Sequence, residues 1–114
     1  MWSSDALRET LRVRMEKGRA KYGHGLQSAM DTRQWGTTTN SWLEMAEEEY
    51  MDGIMYILTD YLRFKGSPAG RDNSPDLLEL IYGPIESITS LPHREMLLGN
   101  VELLEKISRY RQSQ

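Results

Sequence analysis

Apolar side chains recur at intervals of three and four residues through most of the chain, which is the periodicity of amphipathic α-helices. Ser4 or Asp5 can cap a first helix that continues to about Lys21. The apolar face of this helix consists of Leu7, Leu11 and Met15. The opposite face is basic, which is typical of a solvated helix surface unless a ligand binds there.

A second helix, from Ser41 to about Lys65, has the clearest pattern. Ser41 and Glu44 have the spacing of a capping box, in which each side chain accepts a hydrogen bond from a free N–H at the helix start. Two adjacent apolar rows follow, namely Leu43, Ala46, Tyr50, Ile54, Ile57 and Tyr61, and Met51, Met55, Leu58 and Leu62. An apolar surface of that width predicts a helix at the centre of the fold.

The remaining segments predict shorter elements joined by loops. Residues 22–40 are rich in Gly and Thr and form a long connection, for which we expect a binding role. A short helix begins near Ser74 and is interrupted at Gly83, and a last helix follows Pro92. Because no run alternates as a strand does, we expect an all-α bundle of three to five helices in a single domain, residues 1–114.

The composition limits the class of protein. A chain of 114 residues is long enough for one hydrophobic core, and 39% hydrophobic with 27% charged residues is typical of a folded protein. The chain has no cysteine, which excludes disulfides, thiolate zinc sites and cysteine nucleophiles. Since so small a chain leaves apolar surface uncovered, we expect the bundle to be completed in a homodimer or homotetramer.

Charge and hydropathy indicate where the protein acts. The N-terminal sequence has no basic run followed by an apolar core, and no segment has the ~20 apolar residues of a membrane span. We therefore expect a cytoplasmic protein with no membrane partner. The net charge of -3 argues against duplex nucleic acid as a partner.

The second helix carries a cluster of acidic side chains near its start. These are Glu44, Glu47, Glu48, Glu49 and Asp52. Like charges four residues apart repel each other by roughly a few tenths of a kcal/mol per pair, so the cluster needs compensation. Mg²⁺ or Mn²⁺ would provide it, because hard cations prefer carboxylate oxygens and keep positions for water and phosphate. The alternative is a charged surface, in which Glu44 acts only in the capping box and Glu47 pairs with an arginine of the first helix.

Two motifs resemble those of a known family. The first is represented, with some drift in spacing, by Arg14, Lys17, Lys21, Tyr22 and Gly23, followed by Leu26. The second is Glu48-Glu49-x-x-Asp52-x-x-x-Tyr56 on the second helix. Over roughly residues 8 to 63, the chain resembles the phage and bacterial MazG-like nucleotide pyrophosphohydrolases of the all-α NTP pyrophosphatase superfamily.

The resemblance implies metal-dependent hydrolysis of a nucleoside or deoxynucleoside triphosphate to the monophosphate and pyrophosphate. Glu48, Glu49 and Asp52 would ligate Mg²⁺ or Mn²⁺, with Glu44 as a further candidate ligand. Glu48 or Glu49 would orient or deprotonate the attacking water. The candidates for nucleotide contacts are Lys17, Lys21, Tyr22, His24 and Tyr56.

Two other functions stay open. The family's second acidic motif, Glu-x-x-Asp, has no clean copy in the chain, since Asp76-Leu77-Leu78-Glu79 has the spacing with the order reversed. A protein of the same fold without that motif would bind or sequester a nucleotide and not hydrolyse it. A helical adaptor, whose acidic helix contacts a basic partner protein, is the third hypothesis.

Overall fold

The computed structural model describes residues 4–114, which form four α-helices and two short 3₁₀ helices and no strand. The α-helices are α1 (Asp5–Tyr22), α2 (Trp42–Phe64), α3 (Ser74–Tyr82) and α4 (Leu91–Gln112). The 3₁₀ helices are Thr32–Trp35 and Ile85–Ser87. The predicted all-α class is confirmed. Within the described residues, no helix combines the length and the apolar character that crossing a membrane requires.

The chain divides into two compact units, one that ends at Asp31 and one that comprises Thr32–Gln114. The predicted single domain and its completion by oligomerisation stay predictions. Residues 1–3, which are part of the segment for which we predicted no targeting signal, lie outside the described residues.

Helix α1 is closed at both ends by the groups that its sequence predicts. The Ser4 hydroxyl accepts a hydrogen bond from the Leu7 N–H at 3.2 Å. After Tyr22, Gly23 adopts the left-handed conformation (φ 79°) and donates its N–H to the Arg19 carbonyl at 2.8 Å. No α1 side chain is buried among the described residues of the helix, and its apolar row Leu7, Leu11 and Met15 is exposed. The helix therefore presents an uncovered apolar face.

The start of α2 follows only half of the predicted capping box. The Ser41 hydroxyl accepts the Glu44 N–H at 3.1 Å, as predicted. The reciprocal bond is absent from the described structure, because the Ser41 N–H donates to the Thr32 hydroxyl at 2.8 Å. The Glu44 carboxylate instead accepts hydrogen bonds from Thr38 and Thr39. The cap therefore also ties the preceding connection to the helix.

Side-chain hydroxyls and rings order that connection. Thr32 is fully buried, and its hydroxyl lies 2.8 Å from the Thr37 hydroxyl. The rings of Trp35 and Trp42 lie with their centroids 5.8 Å apart and tilted by 37°. The segment has the loop character that its composition predicts, apart from one 3₁₀ turn, while its binding role stays a prediction.

Helices α2 and α4 pack against each other in antiparallel directions. Arg111 near the end of α4 contacts Glu47 near the start of α2, and His93 near the start of α4 contacts Asp60 near the end of α2. Between these contacts, the Cα of Gly53 faces the side chain of Asn100. The three contacts follow one another in opposite order along the two helices, so the helices run antiparallel.

The core of the second unit lies toward the end of α2. Its buried side chains are Leu58, Tyr61, Ile88 and Leu97, with Ile54, Ile57, Leu77, Leu80 and Ile85 packed around them. Tyr61 is fully buried, and its hydroxyl donates to the Ser87 carbonyl at 3.2 Å and accepts from the Thr89 N–H at 3.1 Å. These bonds satisfy the polar end of a ring whose apolar part fills the core.

Candidate functional site

The acidic side chains of α2 separate into two groups that lie in different environments. Glu48, Glu49 and Asp52 are exposed, and they form no ion pair or hydrogen bond in residues 4–114. Glu44 and Glu47 are turned toward α4, where Arg111 contacts both of them. The predicted cluster is therefore only partly neutralised by the protein.

Glu44 has the most partners of the five acids. Its carboxylate accepts from the Thr39 hydroxyl at 2.6 Å, the Thr39 N–H at 3.1 Å and the Thr38 hydroxyl at 3.1 Å, and from the Thr38 N–H. The Thr39 hydroxyl and the Thr38 N–H, which contribute most, lower the pKa of Glu44 from its ordinary 4.5 to about 2. Glu44 is thus held as a carboxylate by structural contacts, and its role as a metal ligand stays a prediction.

Glu47 is paired with an arginine, as in the alternative of a charged surface, but this arginine belongs to α4 and not to the first helix. The Arg111 guanidinium of α4 donates to Glu47 through Nη1, and its Nη2 lies 3.3 Å from Glu44. The hydrogen bond to Glu47 raises the pKa of Arg111 above its ordinary value. The first-helix partner named in that alternative was wrong, because the partner comes from the packing of α2 on α4, which the periodicity of the sequence does not specify.

The exposed acids share one side of α2 with an aromatic ring. Glu48, Asp52 and Tyr56 follow one another at intervals of four residues, and the Tyr56 side chain is 71% exposed. Glu49 lies beside this row. No group of three His, Asp or Glu side chains already arranged for a metal ion occurs in the described chain. Side-chain rotation in this exposed row would therefore have to accompany any metal binding.

The other predicted nucleotide contacts lie at and after the end of α1. Lys17, Lys21, Tyr22 and His24 are all exposed. The Lys21 ammonium lies 5.3 Å from the centre of the Tyr22 ring, which is a cation–π contact. His24 donates from Nδ1 to the Gly25 carbonyl at 2.9 Å. The four residues lie within one eight-residue segment, 17–24, of the first unit.

The structure also gives His93 a setting that the sequence did not predict. Its Nε2 donates to the Asp60 carboxylate at 2.7 Å, and its Nδ1 lies 2.5 Å from the Ser90 hydroxyl. The rings of Tyr61 and Phe64 pack against the imidazole. A histidine three residues after a helix-capping serine is the sequence signal, but the Asp60 contact depends on the packing of α2 on α4.

Ser, His and Asp in one hydrogen-bonded chain are also the residue types of a hydrolase triad. Here Ser90 is buried and its hydroxyl accepts the His93 N–H at 3.4 Å, so it acts as the cap of α4. A nucleophile has to reach its substrate, and Ser90 is buried and lines neither of the clefts described below. The cluster therefore fits a structural connection between α2 and α4 better than a catalytic centre.

Two clefts formed by described residues of the second unit bear on function. The larger, of about 500 Å³, lies beside the end of α2 and includes Lys65, Arg71 and Glu79. The smaller, of about 400 Å³, lies at the start of α2 and includes Trp42, Tyr110 and Arg111. Neither is lined by the exposed acids of α2. Comparison of the chain with protein-family models, curated proteins and solved structures gave no match.

Proposed function

We propose that the protein is a metal-dependent nucleoside triphosphate pyrophosphohydrolase whose acidic site is the exposed row of α2. The observation that supports this most is the separation of the acids. Glu48, Glu49 and Asp52 have no protein partner in the described chain, whereas Arg111 contacts both of the neighbouring acids, Glu44 and Glu47. Three adjacent carboxylates left unpaired on a helix repel one another, and a divalent cation would relieve that repulsion.

The donor set fits Mg²⁺ or Mn²⁺. It consists of carboxylate oxygens, the hard ligands that these ions prefer, on exposed side chains that leave room for water and phosphate. When bound there, the ion would neutralise phosphate charge and make a water molecule more acidic. Glu48, Glu49 and Asp52 would hold it, whereas Glu44 would serve mainly to position the start of α2.

The chain's own residues would perform the remaining tasks. Glu48 or Glu49 would accept a proton from a water that attacks the α-phosphorus, and the bond from that phosphorus to the pyrophosphate oxygen would break. Tyr56, on the same side of α2 as the acids, would contact the base or sugar. The nucleotide contacts of Lys17, Lys21, Tyr22 and His24 stay predictions. The products would be the nucleoside monophosphate and pyrophosphate, in line with the MazG-like motifs.

The test is pyrophosphate release from each dNTP and NTP in the presence of Mg²⁺ or Mn²⁺. We expect turnover with at least one of them and a loss of about a hundredfold or more in Glu48→Gln or Glu49→Gln. The matched control is Glu105→Gln, which removes an exposed carboxylate from α4. Equal activity in all three variants would refute the assignment of the site.

One observation favours a second candidate, a protein that binds a nucleotide without hydrolysing it. Asp76, which has part of the spacing of the missing second acidic motif, accepts two hydrogen bonds from Arg71 at 2.9 Å and one from Asn73 at 2.9 Å. These bonds lower the pKa of Asp76, Arg71 contributing most. A carboxylate so engaged is a poor second metal ligand. Nucleotide binding with no pyrophosphate release would favour this candidate.

A further inference from the structure

The cleft of about 500 Å³ has the size of a small-molecule site. Such sites occupy roughly 300–1,000 Å³ and combine apolar surface with a few polar groups. Tyr61, Leu62 and Leu80 are among the lining residues, and the two leucines add apolar surface from α2 and α3. The cleft lies at the opposite end of α2 from the acidic row, and it contains none of the proposed metal or nucleotide residues.

Four charged side chains line this cleft, and two of them neutralise each other. Arg71 donates from Nε and Nη2 to the two carboxylate oxygens of Asp76, each at 2.9 Å. Lys65 and Glu79 form no ion pair anywhere in residues 4–114. The Lys65 ammonium lies 5.7 Å from the centre of the Tyr61 ring, which is a cation–π contact. One positive and one negative charge thus stay unpaired.

The walls of the cleft are held in place before any ligand binds. Gly66 and Gly70 adopt left-handed conformations with φ of 87° and 78°, which form the loop after α2. Asn73 fastens this loop by donating to the Ser67 hydroxyl at 2.8 Å and to Asp76 at 2.9 Å. Binding to a wall that is already ordered avoids the entropic cost of ordering it.

We propose that this cleft binds a small zwitterion of dipeptide size, with the ligand's carboxylate at Lys65 and its ammonium at Glu79. An anion alone would be attracted by Lys65 and repelled by Glu79, and a cation would meet the reverse. A zwitterion is attracted by both side chains. Its apolar side chains would lie against Leu62 and Leu80. This proposal does not depend on the nucleotide function of the acidic row.

The test is a titration of the ¹⁵N-labelled chain with the dipeptide glycyl-leucine, followed through its backbone amide signals. We expect saturable shifts at Gly66 and Gly83, with a dissociation constant on the order of 1 mM or lower. N-acetyl-glycyl-leucine lacks the ammonium and glycyl-leucinamide lacks the carboxylate. Each should bind about fivefold more weakly, which is the effect of one partly exposed ion pair.

Variants connect each ligand charge with its protein partner. Lys65→Gln should remove the difference between the dipeptide and its amide, and Glu79→Gln should remove the difference between the dipeptide and its N-acetyl form. Lys106→Gln, on the exposed side of α4 where Lys106 pairs with Glu102, is the control and should bind like the unaltered chain. Unchanged dispersion of the amide signals would show that the variants fold.

Three results would overturn the proposal. The first is no shift at about 10 mM dipeptide, a concentration that detects even weak binding. The second is an equal shift from all three ligands, which would mean that charge has no part in binding. The third is tighter binding of N-acetyl-glycyl-leucine or inorganic phosphate than of the dipeptide, which would make the cleft an anion site.

Discussion

The guanidinium of Arg111 contacts two carboxylates of α2, and the others stay accessible to a ligand. It contacts Glu44 and Glu47, and the threonines before α2 donate further hydrogen bonds to Glu44. Glu48, Glu49 and Asp52 receive no such contact in the described residues. Arg111, which lies 59 or more positions farther along the chain than these acids, thus defines the acidic site that we propose without being part of it.

The contacts of Glu44 predict a pH-dependent contribution to stability. Its pKa is lowered from 4.5 to about 2 in the folded chain. A carboxyl with a lower pKa in the folded than in the unfolded state stabilises the fold above the unfolded value and loses this effect as the pH falls toward the folded value. We therefore expect the contribution of Glu44 to be complete above about pH 4.5 and to decline between pH 4.5 and 2.

Urea unfolding of the unaltered chain and of Glu44→Gln at a series of pH values measures this contribution. The difference in unfolding free energy between the two should be largest near neutral pH and shrink as the solution becomes acidic. Glu105→Gln, an exposed carboxyl for comparison, should show no such trend. A difference for Glu44→Gln that stays constant with pH would contradict the assignment.

Ser90 offers a second prediction at this scale, because we assign it a structural role. Ser90→Ala removes the hydroxyl that caps α4 and contacts His93, so it should lower the free energy of unfolding by about 1 kcal/mol. Ser113→Ala, at the other end of α4, should change it little. Pyrophosphate release should be unaffected by Ser90→Ala. Complete loss of hydrolysis in a folded Ser90→Ala protein would point to a catalytic serine instead.

The helices themselves follow from local sequence, whereas their contacts do not. Ser4, Ser41 and the Ser74–Pro75 start mark helix beginnings that the structure confirms, because capping and periodicity act over a few residues. The partner of Glu47 and the partner of His93 depend on the register of α2 against α4. That register joins residues more than 30 positions apart, and helical periodicity fixes no such distance.

The packing of α2 on α4 predicts opposite results for two substitutions at one glycine. A Cβ at Gly53 would lie 3.6 Å from the Asn100 side-chain oxygen, which is ordinary contact. Gly53→Ala should therefore raise the free energy of unfolding by about 0.5–1 kcal/mol through helix propensity. Gly53→Leu should lower it, since the longer side chain would press against α4.

Gly99→Ala on α4 is the matched control for the propensity effect. A Cβ there has no atom within 4 Å, so this substitution should stabilise by a similar amount. Thermal and urea unfolding of the three variants provide the measurements. Destabilisation by Gly53→Ala, together with stabilisation by Gly99→Ala, would show that α2 and α4 approach more closely than the contact at Gly53 indicates.

On the scale of the whole molecule, the uncovered face of α1 bears on the predicted homodimer or homotetramer. Leu7, Leu11 and Met15 are 37%, 43% and 54% exposed, and apolar rows of this kind are usually covered. We expect sedimentation equilibrium to give at least twice the monomer mass. Paired Leu11→Gln and Met15→Gln changes should shift the chain toward monomer, while Thr10→Gln should not. A monomer at all concentrations would contradict the prediction.

Part of the candidate site could be predicted from the sequence, because helical spacing determines which side of a helix a residue occupies. Glu48, Glu49, Asp52 and Tyr56 fall on one side of a helix because of their spacing alone, and the structure places them there. Whether these side chains hold a metal also depends on charged residues from distant parts of the chain and on the predicted oligomer. Glu44 shows the limit, since its spacing matches the row but its contacts turn it toward Thr38 and Thr39.

The paired indoles of Trp35 and Trp42 have an optical consequence. The two rings lie 5.8 Å apart and are inclined by 37°, so their electronic transitions couple. The circular dichroism spectrum should then contain a couplet, a positive band next to a negative one, which neither ring produces alone. One ring belongs to the connection before α2 and the other to the first turn of α2. The couplet would therefore report, without any label, whether that connection keeps its folded arrangement when nucleotide and metal are added.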